Sequence, residues 1–234
     1  MSFSAPPFPI GGYVLAGGRS SRMGRDKALV TLAGKPLIEH AVSKLRRICT
    51  SVHILSNDAA LAAFAPTVPD IHTGCGPIGG MEAALAHTSY EWNLFLPIDV
   101  PFLPAAFLAR WLFAQLNSSS PKPTPPGIRI LNADSRAQPG LCLIHKAVAP
   151  LITRAIQREE FALMSVFEGV GREAGCEFSS SPGHSYCEST RTASAPTWRQ
   201  ITPSQLAARH LWFLNLNTKE DLALAQANLA ALDS

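Results

Sequence analysis

In Tyr13-Val14-Leu15-Ala16-Gly17-Gly18-Arg19-Ser20-Ser21-Arg22-Met23-Gly24-Arg25-Asp26-Lys27, an apolar run meets a glycine pair and then a cluster of cations. Tyr13 to Ala16 reads as a short strand and the glycines as its tight exit turn. Glycine lets the backbone approach a ligand closely and turn its N–H groups toward it. Arg19, Arg22, Arg25 and Lys27 surround that turn with positive charge. Backbone donors with clustered cations suit a polyphosphate, so the loop is a candidate nucleoside triphosphate site. Neither of the two commonest phosphate loops is present. The spacing G-x-G-x-x-G is absent, and Arg25-Asp26 follows the last glycine where a P-loop needs Lys-Ser/Thr. The bland alternatives are a plain turn and a solvated basic face.

Outward from that loop, short β-type runs alternate with helical patterns. Pro36 opens a segment with apolar Leu37, Ala41, Val42, Leu45 and Ile48, the spacing of a helix buried on one face. Val52 to Leu55 predicts a second strand and Ala59 to Phe64 a short helix. Gly74-Cys75-Gly76-Pro77-Ile78-Gly79-Gly80 reads as a second glycine-rich turn leading into a helix at Met81 to His87. Trp92 to Ile98 is a dense apolar run, typical of a strand covered on both faces. Helices are expected over Ala105 to Leu116, Ala147 to Arg158 and Phe161 to Phe167. Strands are expected at Ile128 to Leu131, Leu141 to Ile144 and Leu211 to Leu214. Thr218 to Leu232 predicts a final helix capped by Asn217 or Thr218. Residues 117–127 and 175–203 read as loops, the second with one short strand.

This alternation predicts an α/β fold: a three-layer α/β/α, Rossmann-like domain with a mainly parallel sheet. A single domain, 1–234, is expected, with a nucleotide-binding half at 11–101 and an acceptor-binding half at 102–234. Such sheets bind ligands at the carboxyl ends of their strands. Leu94-Phe95-Leu96-Pro97-Ile98-Asp99-Val100-Pro101 places one aspartate at such an end. A carboxylate is a hard ligand for Mg²⁺, which takes few protein ligands and several substrate oxygens. Asp99 is therefore the candidate metal ligand, against the alternative of a helix cap near Pro104. Asp70, just before the second glycine loop, is a candidate acceptor for ribose or the loop backbone, or a solvated acid. Asn215 and Asn217 flank Leu216, and strand alternation would point both to one side. Asn217 is thus a second candidate metal ligand, or a helix cap.

Composition bounds the rest. The net charge of +3 and the lack of a long Lys/Arg run argue against a dedicated nucleic-acid binder. No apolar run is long enough to span a bilayer, and residues 1–9 do not form a secretory signal. A cytoplasmic protein with reduced thiols is the expectation. The five cysteines include no C-x-x-C pair, and Cys176 and Cys187 read as free thiols in a loop rather than a redox pair. The histidines show no paired metal spacing, and there is no G-x-S-x-G elbow. A nicotinamide dehydrogenase lacks its glycine spacing, and Asp58 lies much further on than the required interval of about 20 residues.

The stretch Leu15 to Leu29 resembles the loop that marks the nucleotidyltransferases of glycosyltransferase-A-like, nucleotide-diphospho-sugar transferase fold. Within them the chain is most similar to the molybdenum cofactor guanylyltransferases. Gly76-Pro77-Ile78-Gly79-Gly80-Met81, Leu96-Pro97-Ile98-Asp99-Val100-Pro101-Phe102, Gln138-Pro139-Gly140-Leu141 and Leu214-Asn215-Leu216-Asn217-Thr218 carry the same likeness, in the family's order. Segments 117–127 and 175–203 look longer than the family pattern.

The resemblance implies transfer of GMP from GTP to the terminal phosphate of molybdenum-bound molybdopterin, releasing diphosphate. Leu15, Ala16, Gly17, Lys27, Asp70 and Asp99 would match its GTP-contacting positions. Gly17 and Gly18 would cradle phosphates, and Arg22 and Lys27 would neutralise them. Gly76, Pro77, Gly79 and Gly80 would lie along base and ribose. Asp99, with Asn217, would hold Mg²⁺. Gln138, Arg154 and Arg158 are candidates for the acceptor. GTP and a molybdopterin-type acceptor are the expected partners, with transient contact to cofactor-delivery or molybdoenzyme proteins; nucleic acid and membrane are not. The alternatives are the same chemistry with CTP or another acceptor phosphate, and a non-catalytic nucleotide-binding module.

Overall fold

A computed structural model of the chain describes residues 8–17, 27–116, 126–133, 136–175, 179–182 and 200–233. Its elements are β1 (Phe8–Leu15), β2 (Thr31–Leu32), β3 (Lys35–Pro36), α1 (Leu37–Arg46), β4 (Cys49–Leu55), β5 (Thr67–Val68) and α2 (Pro77–His87). There follow β6 (Trp92–Pro97), α3 (Ala105–Leu116), β7 (Ile128–Ala133), β8 (Arg136–His145), α4 (Ala149–Gln157), α5 (Leu163–Ala174), β9 (Ser179–Pro182), α6 (Pro203–Ala207) and α7 (Lys219–Gln226).

One seven-stranded sheet runs in the order β5-β4-β1-β6-β8-β7-β9. β1 pairs in parallel with β4 and β6, β4 with β5, and β7 with β9. Both partners of β8 pair with it antiparallel, so β8 alone runs against the rest. The expected mainly parallel α/β sheet is thus observed.

Alternation along the strands builds the two faces. Leu94 and Leu96 of β6, with Ile10 and Val14 of β1 and Leu141 and Leu143 of β8, pack with α1 and α3. Phe95, Tyr13, Cys142 and Ile144 face the other way and pack with α2, α4 and α5. The dense apolar run of β6 follows directly, because both of its faces are covered. Two inward positions of β1 are glycine. A Cβ on Gly12 would lie 2.8 Å from Cys49 Sγ, and one on Gly11 would lie 2.7 Å from Asn93 Oδ1.

A third, smaller cluster joins Leu32, Leu37 and Phe102 to Leu211, Leu216 and Ala225. It packs the late segment of the chain against β2, the start of α1 and the loop after β6. Lys44 of α1 is 2% exposed and donates to the carbonyls of Pro101 and Leu103. Asp233 lies 3.4 Å from the Lys44 ammonium and also accepts from the Ala105 N–H and the Gln205 side chain. Burial is the main influence on Lys44 and lowers its pKa, an effect that Asp233 opposes.

Three expectations fail. The final helix, expected to reach Leu232, ends at Gln226 and gives way to a 3-10 turn at Leu229–Ala231. Leu211 to Leu214 is not a strand. Arg209–Leu211 forms a 3-10 turn, continued by i→i+3 bonds to Leu214. The apolar run satisfies itself against α3: Trp212 and Phe213 pack on Phe107, and the Trp212 indole donates to the Gln205 carbonyl. The second glycine-rich segment is only half a turn. Gly76 caps α2 at φ 67°, in the left-handed region, and Pro77 takes the first helical turn. Gly79 and Gly80 lie inside the helix. Their missing Cβ atoms admit protein: one on Gly79 would be 3.0 Å from the His72 carbonyl, and one on Gly80 3.4 Å from Leu55 Cβ.

Candidate active site

The carboxyl ends of β4, β1 and β6 lie side by side, with Leu15 registered to Leu55 and to Pro97. Ala16 donates its N–H to the Leu55 carbonyl, and Ile98 donates to Leu15. Leu15, Ala16 and Gly17 therefore leave the sheet between two neighbours that stay paired to its last residue. Among the described residues, Gly17 has only the Leu55 carbonyl near its Cβ position, at 3.8 Å. Gly18 and Arg22 lie outside the described residues, as do Arg19, Arg25, Cys176 and Cys187.

Three candidates from distant parts of the sequence meet at this edge. Lys27 Nζ donates to Asp99 Oδ2 at 2.9 Å and to Asn217 Oδ1 at 2.6 Å. Lys27 begins a 3-10 turn after the glycine loop, Asp99 follows β6, and Asn217 precedes α7. Backbone pairing ties the last two together, since the Leu216 N–H donates to the Asp99 carbonyl at 3.0 Å. Asn217 reaches the cluster from a turn and not by strand alternation. It does not cap α7: Thr218 does, in a capping box with Asp221. The Asp221 carboxylate accepts from the N–H groups of Asn217 and Thr218. Those bonds, with the Asn217 N–H first, hold its pKa below the usual value.

The donor set suits a hard cation. Asp99 Oδ1 is buried with no hydrogen-bond partner among the described residues. Asp99 Oδ2 and Asn217 Oδ1 converge on one positive charge, the Lys27 ammonium. No group of three or more His, Cys, Asp or Glu side chains converges among the described residues. Mg²⁺ needs no such group when substrate phosphates complete its shell.

Asp70 is paired with Asn57 in both directions. The Asn57 amide donates to Asp70 Oδ2 at 3.1 Å, and the Asp70 N–H donates to Asn57 Oδ1 at 2.9 Å. Sequence reasoning missed Asn57. Its signal was the polar Ser56-Asn57-Asp58 cluster at the end of a strand that adjoins the glycine loop. Gln138 lies on β8, and Gly140 two residues on packs so closely that a Cβ there would be 2.9 Å from Pro97 Cγ. That stretch of β8 thus borders the end of β6. Arg154 and Arg158 are brought together by Glu173 of α5, at 3.2 Å and 3.0 Å, and not with the Lys27 cluster. Both are largely exposed. The Arg158 hydrogen bond is the main influence lowering the Glu173 pKa.

The model of the MobA-like NTP transferase domain matches residues 12–173. A molybdenum cofactor guanylyltransferase of Serratia proteamaculans is 35% identical over 170 residues, spanning 69% of this chain and 81% of its own. One of Yersinia pestis is 33% identical over 169 residues, 70% of this chain and 83% of its own. Among solved structures, molybdopterin-guanine dinucleotide biosynthesis protein A from Archaeoglobus fulgidus superposes with a TM-score of 0.70 at 22% identity, over 95% of this chain and 100% of its own. A 2-C-methyl-D-erythritol 4-phosphate cytidylyltransferase from Thermus thermophilus gives 0.58 at 15% identity, over 94% and 98%. These two agree with the fold described above. The matched region contains Lys27 and Asp99, and the chain belongs to the MobA-like NTP transferases, a family of nucleotidyltransferases.

Proposed function

We propose that the chain transfers GMP from GTP to the terminal phosphate of molybdenum-bound molybdopterin. An acceptor phosphate oxygen attacks the α-phosphorus, the bond to the β-phosphate oxygen breaks, and diphosphate leaves. The observation that carries this reading is the meeting of Lys27, Asp99 and Asn217 beside the glycine-loop exit. Guanylyl transfer and the molybdenum cofactor come from the names of relatives, the molybdenum cofactor guanylyltransferases of Serratia proteamaculans and Yersinia pestis; molybdopterin as the acceptor comes from the family resemblance.

Two anions must meet in line, so charge neutralisation and positioning supply most of the catalysis. Gly17 and Gly18 present backbone donors to the phosphates, with Leu15 and Ala16 behind them. Arg22 and Lys27 neutralise the β and γ phosphates and the leaving diphosphate. Asp70, braced by Asn57, accepts from the nucleoside; Gly76 leaves open space along base and ribose, with Pro77 beside it, while Gly79 and Gly80 let the turn and β4 pack close behind. Asp99 and Asn217 would hold Mg²⁺, which when bound neutralises phosphate oxygens. Lys27 lies on both of these oxygens, so a cation held there would need the ammonium to turn to the phosphates. The acceptor is already ionised and needs no general base. Gln138 borders the end of β6 and suits the acceptor side. Arg154 and Arg158 would exchange Glu173 for the acceptor's anion.

The deciding experiment is a binding panel of GTP, CTP, UTP and ATP with Mg²⁺, followed by diphosphate release with molybdopterin. Preference for GTP and molybdopterin-dependent release is expected. Preference for CTP would move the chain to cytidylyl transfer, and binding without release would make it a nucleotide-binding module.

A further inference from the structure

We infer that Glu82 is a positioning residue that, through His72, sets nucleotide affinity by fixing the turn between β5 and α2. The inference rests on the nucleotide site proposed above and adds residues that reading does not use. Glu82 lies on α2 with its side chain 5% exposed. A buried carboxylate is costly unless it is paired. Its partner is His72 Nδ1, at 2.8 Å, on a ring that is 48% exposed. The helix around Glu82 is otherwise small and apolar, and an apolar residue there would avoid the desolvation cost. Retaining the acid therefore orients the histidine and the turn that carries it.

That turn, 69–76, leaves the carboxyl end of β5, on the same edge of the sheet as the Lys27 cluster. Gly74 and Gly76 both have left-handed φ values, 84° and 67°, so its far half has unusual backbone freedom. Its far end is anchored by Cys75, buried with Ile78 and Met81, and its near half by further contacts. Asp70 is bound to Asn57, His72 to Glu82, and the His72 carbonyl abuts Gly79, which has no room for a larger residue. Removing the Glu82 contact loosens the stretch between Asp70 and the buried Cys75, and with it the seating of Asp70. Lys27, Asp99 and Asn217 make no contact with this clamp, so the chemical step is insulated from it.

The test measures KM for the nucleotide and kcat in His72→Ala, Glu82→Ala, the double variant and Glu82→Gln, using the triphosphate that wild type binds best. Each single variant should raise nucleotide KM by about three- to tenfold, the equivalent of one hydrogen bond, with kcat unchanged. The double variant should be no worse than either single one, since the two act as a unit. Glu82→Gln keeps an acceptor oxygen and should recover most of the loss. His72 is exposed, so His72→Ala carries the test even if Glu82→Ala folds poorly. Unchanged nucleotide KM in His72→Ala overturns the inference, as does an additive double variant or an equal fall in kcat. If wild type prefers CTP, the guanylyl reading fails while the clamp is still scored on CTP. If wild type binds no triphosphate, both readings fall.

Discussion

The Lys27 ammonium closes onto the Asp99 carboxylate at 2.9 Å, across 72 positions of sequence. The two side chains are 16% and 22% exposed, so the pair is partly shielded and water does not fully screen it. On the proposed reaction, a cation and its counter-charge are thus stored where two anionic reactants have to meet.

Asp99→Asn keeps the shape of the side chain and removes its charge. Turnover should fall by roughly 100- to 1,000-fold, the usual cost of losing a preorganised electrostatic partner. The melting temperature should change little. Steady-state diphosphate release together with a thermal melt checks this, and near-wild-type release would remove Asp99 from the catalytic residues.

Lys27→Ala should act in opposite directions on two ligands. GTP affinity should drop by roughly ten- to a hundredfold, the range for a hydrogen bond to a charged group. Affinity for Mn²⁺ without nucleotide should rise, because the competing ammonium has left Asp99 and Asn217. Titration followed by electron paramagnetic resonance reads the metal directly. A parallel loss of both affinities would show that Lys27 does not compete with the cation.

Arg154→Ala and Arg158→Ala should weaken acceptor binding and leave GTP affinity within about a factor of two, since a group contacting one ligand has no differential interaction with the other. The ion pairs to Glu173 are solvent-exposed and screened, so losing them should leave the melting temperature nearly unchanged. Isothermal titration of both ligands separates the cases. Lost GTP binding would overturn the division into two halves, and no change in either affinity would leave the arginines with Glu173 alone.

Acid should destabilise the fold through two histidines. Burial lowers the pKa of His53, and His87 at 3.3 Å lowers it further. Burial also lowers that of His145, against the opposing pull of Glu91. Both values start from 6.5 in the unfolded chain, so the unfolded state takes up protons first as pH falls. Their stabilising contribution is complete above pH 6.5 and is lost as pH falls through the folded-state values. Urea melts from pH 7.5 to about pH 5 should show this decline, and His53→Gln should flatten it. An unchanged slope in His53→Gln would assign the decline to other groups.

Much of this was legible because apolar pattern and burial coincide. β6 announced itself as a run covered on both faces, and α3 was bounded correctly at Ala105 and Leu116. Leu211 to Leu214 carries the same apolar density yet forms a 3-10 turn and not a strand. A short apolar run does not say whether its neighbours will be strands or the rings of Phe107 and Trp212. Asp99 and Lys27 were visible because each stands at the exit of an apolar strand or a glycine loop. Asn57 was not, since its role depends on Asp70 folding back to within 3.1 Å of it. Glu82 was hidden inside a helical pattern, where nothing local distinguishes a buried acid from an exposed one.

The Lys44–Asp233 contact changes how the last stretch of sequence should be regarded by anyone trimming or tagging it. Asp233 is the charged partner of an ammonium that α1 has buried beneath the β6–α3 connection. A protease cut that removed it would leave that ammonium without its ion, a loss of roughly 3–5 kcal/mol when one member of a buried pair is deleted. Until Asp233 has been synthesised and docked, a nascent chain carries the same defect. The Pro101–Ala105 connection behind Asp99 is therefore not fully locked until a residue 128 positions beyond Ala105 has emerged and docked.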